Sequence, residues 1–548
     1  MWRSPGCKPS STSSQQSSAR SMLFHDIFEH QGGSMPDRVA LVDATRQWTY
    51  AEANSEANRI ANALLGAGLT KGDRFGYLSK NTADMLMMYM AASRIGVVPV
   101  PLNYRLAPPE WSFIIANAGV KLLIAQDEYV SGIDKVRTEL PSVEHWFALA
   151  PGAAPANAPP AGWADYRAWV AGASPTKPQA DVAPGDVFYQ MYTSGTTGLP
   201  KGVLVTHANY ASCILQTSAS FETLPASGRR ALIIPPIYHA GALFVTAFAL
   251  ARGLSLNIMA DFDPHAVVDT IEREDIVFLF MVPAMIQACL TQVPEVDSRD
   301  FSSLESIIYG ASPIAEETLR RAMAVLQCDF YQGYGLTETT AILTVLGAEE
   351  HRRALKGEAH LLLAAGRPVA GTDLQLFDEH DKPVAQGEIG EIVAKGPQIM
   401  AGYWDRPEAT EKAMAAGYFH TGDAGSLDAE GYVYIRDRIK DMVVSGGENV
   451  YPREIENVLF DHPQLVDAAV IGIPDAKFGE RVMAFVVPKS GATIDAEAMI
   501  AWCRERLAGY KIPRQIEVIA ELPRNASGKV LKRELRAPFW EGKERQVG

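Results

Sequence analysis

Tyr192-Thr193-Ser194-Gly195-Thr196-Thr197-Gly198-Leu199-Pro200-Lys201-Gly202 is the stretch on which the reading of this chain turns. Its three glycines keep side chains away, so a tight loop can present backbone N–H groups to a small anion. Thr193, Ser194, Thr196 and Thr197 add hydroxyl donors, and Lys201 adds a positive charge. A polyphosphate needs this combination. The ordinary P-loop requires Gly, four residues, then Gly-Lys-Ser/Thr, and here Pro200 stands five residues after Gly195. The plain alternative is a polar surface loop between two apolar runs. The apolar segment 187–192 before it predicts a strand that delivers the loop, as at phosphate sites on α/β sheets.

The rest of the chain bounds what that loop can serve. At 548 residues it is too long for one average domain. Its 47% apolar and 21% charged residues belong to a soluble globular protein, expected to be cytoplasmic. A net charge of −14 argues against a general nucleic-acid binder, which needs a basic footprint. Cysteines 7, 213, 289, 328 and 503 are far apart and read as reduced thiols, neither a disulfide framework nor a zinc site. Residues 1–21 are rich in Ser and Gln, basic and free of acids, with no apolar run to make a secretory signal. That composition also fits an organellar transit peptide. A disordered tail, or a start assigned too early with Met22 the better one, is the preferred reading.

From Leu23 to Gln126, segments of strand and helix pattern alternate. Ala53, Ala57, Ile60, Ala61 and Leu64 share one helical face, and Gly66 and Gly68 end it. Repeated β-α-β units predict a helix-covered parallel sheet. Met85, Met87, Met88 and Met90 read as core filler on a packed helix. Residues 151–184, rich in Pro, Ala and Gly, read as a surface connection. The apolar run 231–251 contains Pro235, Pro236 and His239, so it reads as a buried strand, a turn and a buried helix; no transmembrane segment is predicted. After Gly366 short segments broken by Gly, Asp and Pro predict antiparallel strands. From Asp441 a smaller α+β unit follows. The fold class is therefore α/β: a large N-terminal domain of helix-covered parallel sheets plus a β-rich subdomain, with a small mobile α+β C-terminal domain.

Further polar clusters follow apolar strands. Gly310-Ala311-Ser312 would let a flat ring approach the backbone. In the segment Gln332-Gly333-Tyr334-Gly335-Leu336-Thr337-Glu338, Tyr334 could stack on a base, Thr337 donate to a phosphate, and Glu338 hold a divalent cation. Asp423 offers a carboxylate to ribose hydroxyls, and Arg438 a planar donor fork. Each cluster alone is an unremarkable Gly-rich turn.

Their order together resembles the adenylate-forming superfamily: acyl-CoA synthetases, peptide-synthetase adenylation domains and firefly-type luciferases. The resemblance covers about Leu23 to Leu535. It implies a tail at 1–21, an AMP-binding domain at 22–439 and a mobile lid domain at 440–548. It also implies that Thr193, Ser194, Gly195, Thr196, Thr197 and Lys201 hold the pyrophosphate of ATP, and that Gly310, Ala311, Ser312, Gln332, Gly333 and Tyr334 embrace adenine. Thr337 then meets the α-phosphate, Glu338 ligates Mg²⁺, and Asp423 and Arg438 take the ribose. Lys440 falls at the hinge, and Lys529 is the lysine required for adenylation. Gly446 and Gly447 would line the pantetheine tunnel for CoA. The stretch 474–480, with Lys477, resembles a CoA-ligase segment, although Phe478 stands where tryptophan is frequent.

Amino-acid-activating members usually place an aspartate just after the strand at 231–234; here the residues are Pro235-Pro236-Ile237-Tyr238-His239. The substrate implied is thus an apolar carboxylic acid, medium- or long-chain fatty acids ahead of others, in a wall of Tyr238, His239, Val282, Met285, Tyr309, Gly335 and Ile342. The rivals are an aryl-acid CoA ligase and an acyl-AMP ligase loading a carrier protein. Pairing into a homodimer is compatible with this reading. Lys440 and Lys529 are expected on solvent-facing loops.

Overall fold

The computed structural model describes residues 22–150, 159–193, 199–223, 225–312, 314–445, 448–475, 477–524 and 529–541. The segments 1–21, Ser194, Gly195, Thr196 and Thr197, and Gly446 and Gly447 therefore lie outside the described residues.

The first described element is the helix Phe24–Ser34, which buries Phe24, Ile27 and Phe28. Phe24 stacks on Phe188 with ring centroids 4.5 Å apart, and Phe28 packs against Tyr50. The helix Tyr50–Gly66 starts at a Thr49 cap, whose hydroxyl accepts from the Glu52 N–H while the Glu52 carboxylate accepts from the Thr49 N–H. Its buried face is the one the periodicity predicts. The helix Ala83–Ile95 is buried on every side, so its four methionines are core.

Two sheets result, one parallel and one parallel at its centre with antiparallel strands at both edges. One has five strands, built on Arg74–Leu78 with Val98–Leu102 and Val120–Gln126 on either side. The other has nine, with Arg230–Ile233, Ile276–Met281, Ser306–Gly310 and Asp329–Tyr334 side by side and parallel at its centre. One continuous apolar core joins the two, with the helix Ala240–Ala251 inside it. That helix has 12 residues, and no described helix is long and apolar enough to cross a membrane.

Two readings need correction. Residues 151–184 are not merely a connection: Ala164–Asp165 adds a strand to the five-stranded sheet, and the helix Tyr166–Ala171 stacks Trp169 on Phe147 at 4.0 Å. A two-residue strand and a six-residue helix are too short to leave periodicity in such a composition. The strand Val187–Thr193 does deliver the glycine-rich loop, but not from a parallel sheet. It pairs antiparallel with Lys201–Thr206, and Gly402–Tyr403 adds the third strand. The strands that flank the loop are thus an antiparallel pair, with Thr193 opposite Lys201.

The antiparallel prediction after Gly366 is met by a four-stranded sheet of Asp373–Phe377, Gly390–Lys395, Phe419–Leu427 and Val433–Arg438. The C-terminal domain has its own sheet, centred on Leu465–Asp475 and Gly479–Pro488, and its own apolar core.

Because Phe28 fills a site that is 1% exposed, Phe28→Ala should cost about 3–5 kcal/mol. Thermal unfolding checks this: a change in stability below 1 kcal/mol would mean that the first helix is not part of the core.

Candidate active site

A single cleft of about 2030 Å³ collects most of the predicted residues. Thr193, Lys201, Gly310, Ala311, Gly333, Thr337, Glu338, Arg438, Lys440 and Lys529 all lie on its wall. So do His239, Val282, Met285, Gly335 and Ile342.

The wall at the ends of the central strands is made of backbone. Gly310 is paired with Gly333, and a Cβ on Gly310 would fall 2.2 Å from the Gly333 carbonyl oxygen. A Cβ on Gly335 would fall 2.1 Å from the Ala341 carbonyl oxygen. The glycines therefore permit strand-to-strand approach first, and leave a flat surface as a result. Ala311 is held at φ +65°, a strained conformation for a residue with a side chain. Gln332 and Tyr334 alternate with the wall glycines and turn to the other side of the strand, so neither ring nor amide is on the wall. The Tyr334 hydroxyl instead donates to Asp423 Oδ2 at 2.7 Å. Asp423 Oδ1 pairs with Arg438 Nε, also at 2.7 Å. Asp423 is 4% exposed and sits behind the wall, with Arg438 in front of it. Ser312 is likewise off the wall.

Glu338 is buried, and its Oε1 accepts a hydrogen bond of 2.9 Å from the Tyr403 hydroxyl. Lys201 Nζ lies 4.8 Å from the Tyr403 ring centre. Sequence reading missed Tyr403, because it is 65 residues from Glu338 and comes close only through a two-residue strand.

The C-terminal helix Lys532–Trp540 seats the lysine side of the cleft. Lys532 pairs with Glu456 at 2.8 Å and lies 3.7 Å from Asp437. Arg536 pairs with Asp441 and donates to the Lys440 carbonyl. These contacts bring Lys529 and Lys440 to the cleft wall; Lys529 is an exposed loop residue, as expected, whereas Lys440 is half-buried in the turn Ile439–Asp441. Lys529 is exposed to the open cleft, and the bulk of protein that surrounds the cleft disfavours its charged form. Desolvation, with Arg438 adding to it, pulls the ammonium pKa down to about 8.

The remaining wall is apolar. Ala242, Val245, Phe280, Val282, Ile308 and Ile342 form a recess between the helix Ala240–Ala251 and the central strands. Tyr309 belongs to the wall only through its backbone. Its ring lies on the opposite face of the sheet, where the hydroxyl pairs with His351 at 2.9 Å, and Ile308 faces the recess instead. Tyr238 is also off the wall and packs edge-on against Tyr104, 5.5 Å away. His239 caps the recess-forming helix, and burial followed by the nearby Arg105 charge lowers its pKa to about 4. It is neutral at pH 7. Asn81, which sequence reading missed, fixes the turn before His239: its amide donates to the Ile234 and Pro235 carbonyls and accepts from the Ile237 N–H. Lys477 is exposed beside Phe478 and is not brought to the cleft.

The "AMP-binding enzyme" family profile matches residues 28–404, and the "AMP-binding enzyme C-terminal domain" profile matches residues 454–529. A feruloyl-CoA synthase of Amycolatopsis sp is 39% identical over 510 residues, covering 92% of this chain and 96% of its own. The long-chain-fatty-acid–CoA ligase FadD13 of Mycobacterium tuberculosis is 36% identical, covering 90% and 93%. Among solved structures, ATP-bound MatB from Rhodopseudomonas palustris superposes with a TM-score of 0.84 at 32% identity, over 94% of this chain and 99% of that one.

If the charged form of Lys529 serves the nucleotide, kcat/KM for ATP should be flat below pH 8 and fall tenfold per pH unit above it. Lys529→Arg should remove that descending limb. A limb that stays in place in Lys529→Arg would assign it to another group.

Proposed function

The chain belongs to the AMP-binding enzyme family, and we propose that it is the ATP-dependent ligase that joins an apolar carboxylic acid, aliphatic ahead of aromatic, to CoA. The observation that carries this is the meeting, in one cleft, of an apolar recess with Lys201, Arg438, Lys529 and Glu338.

In the first half-reaction the substrate carboxylate attacks the α-phosphorus of ATP, and pyrophosphate leaves. Both reactants are anionic, so the work of the protein is to neutralise accumulating charge in a partly dry site. We assign Lys201, Thr193 and the neighbouring Ser194, Gly195, Thr196 and Thr197 to the departing pyrophosphate. Thr337 and Lys529 serve the α-phosphate, and Arg438, held by Asp423, serves the ribose. Gly310, Ala311 and Gly333 face the adenine with backbone, while Tyr334 acts through Asp423. Glu338, a carboxylate on the cleft wall, is the hard oxygen donor that would hold Mg²⁺, which when bound supplies further positive charge at the phosphates. In the second half-reaction the CoA thiolate attacks the acyl carbonyl and AMP leaves. We assign Gly446, Gly447 and Lys477 to that step. Lys477 is not on this cleft wall, so the domain beyond about Ile439–Asp441 must turn between steps, with Lys440 at the hinge.

The recess favours aliphatic acids because Ala242, Val245, Phe280, Ile308 and Ile342 offer no hydrogen-bonding side chain to a ring hydroxyl. His239, on the same wall, is neutral, so a second carboxylate or an ammonium would find no opposite charge among these side chains. The aryl-acid reading rests on the likeness to the feruloyl-CoA synthase.

A pyrophosphate-release screen with mass detection of the thioester tests this. Among straight-chain acids kcat/KM should rise about fourfold per methylene until the recess ends. Hydroxycinnamates, dicarboxylates or amino acids outperforming hexanoate to dodecanoate would overturn the aliphatic reading, and thioester formed only on a carrier protein would overturn CoA as acceptor.

Lys529→Ala should abolish adenylation yet convert supplied acyl-adenylate and CoA to thioester at a near-normal rate. Equal loss of both steps would remove the turning domain from the account.

A further inference from the structure

The Tyr403 side chain touches both charged groups that flank the phosphate region of the cleft. Its hydroxyl donates to Glu338 Oε1 at 2.9 Å, and the face of its ring lies 4.8 Å from Lys201 Nζ.

The position of this residue is heavily determined. Tyr403 pairs with Val203 in the strand that begins with Lys201, so ring and ammonium rise from neighbouring strands of one small sheet. Its own N–H donates to Thr410 Oγ1 at 2.9 Å. The next residue, Trp404, donates its backbone N–H to the Gly202 carbonyl at 2.7 Å and its indole N–H to the Asn117 carbonyl at 3.0 Å. The Arg74 guanidinium covers that indole at 3.5 Å and donates to Gln190, on the strand Val187–Thr193 that pairs with Lys201–Thr206. The hairpin is thus fastened to the five-stranded sheet through Trp404, and Tyr403 is carried into place beside it.

We infer that Tyr403 is a positioning residue that aims the cation-binding carboxylate of Glu338 with its hydroxyl and props the pyrophosphate-binding Lys201 with its ring. The inference rests on the roles proposed above for Glu338 and Lys201. A carboxylate on a flexible stem samples several rotamers. Engaging Oε1 fixes the group and leaves Oε2 to take a cation in one direction. A lysine ammonium attracted to a ring face is held in place on one side, and the N–H donors on its other side can serve phosphate oxygens.

The two functions separate by substitution. Tyr403→Phe removes the hydroxyl and keeps the ring; Tyr403→Leu removes both. Mn²⁺ binding, read by electron paramagnetic resonance with a non-hydrolysable ATP analogue present, should weaken about tenfold in Tyr403→Phe, the loss of one hydrogen bond to a charged group. Glu338→Gln should weaken it at least as much, and adding Tyr403→Phe to Glu338→Gln should change nothing further. Pyrophosphate binding without metal, read by calorimetry, should be unchanged in Tyr403→Phe and weaken three- to tenfold in Tyr403→Leu. Thermal unfolding of Tyr403→Phe should stay near that of the parent, which separates aiming from folding. If Glu338→Gln loses Mn²⁺ affinity while Tyr403→Phe keeps it within twofold, the positioning role is wrong and the Glu338 assignment stands. If Glu338→Gln itself keeps Mn²⁺ affinity, the metal assignment fails and this inference fails with it.

Discussion

The ion pair between Asp423 and Arg438 is where the parts of this molecule meet. Asp423 stands on the antiparallel sheet, and the Tyr334 hydroxyl ties it to the end of the strand Asp329–Tyr334 in the nine-stranded one. Arg438 is the last residue of that antiparallel sheet, immediately before the turn into the C-terminal domain. One carboxylate therefore fixes the register between two sheets and the direction in which the chain leaves them. Lying buried, the pair depends on both partners: an isolated Asp423 would be an uncompensated charge. The same guanidinium is one of the charges that lower the Lys529 pKa across the cleft, so the geometry of the junction reaches the chemistry directly.

Charge and apolarity share the cleft without conflict because they occupy different layers. The central strands end in backbone and short side chains, whereas the cations come from elsewhere: Lys201 from a separate hairpin, Arg438 and Lys529 from the chain around and beyond the last sheet. Below them the recess is walled by Val245, Phe280 and Ile308, residues that never compete for a phosphate. An acid can place its carboxylate at the boundary and its tail below it.

The parallel half of the fold was readable because long amphipathic helices and short apolar strands alternate there with little interruption. The motif loops were readable for the same reason, since glycine and polar residues follow each strand. Side-chain direction was not. Strand Ser306–Gly310 is apolar on both faces, so nothing in it says that Ile308 faces the recess and Tyr309 faces His351. Tyr238 was misplaced by a related ambiguity, because a turn does not announce which ring will find Tyr104. Contacts made by very short elements were invisible too: Ala164–Asp165, and the two residues of Gly402–Tyr403 that bring a phenol to Glu338. Pairings such as Asp423 with Arg438, both named from sequence, became a linked unit only once the sheets were in register.

The contact between Gly310 and Gly333 divides the cleft into halves with unequal freedom to change. Where the wall is main chain against main chain, a new side chain has nowhere to go, and no succession of single substitutions can retune that surface by degrees. The recess is made of side chains: a Cβ on Gly241 would meet only the edge of the Phe280 ring, at 3.8 Å, and Val245 or Ile308 could grow or shrink by a methyl at modest cost. Such an architecture holds one reactant constant while allowing the other to drift. Over many generations it would serve as a fixed engine with an exchangeable socket.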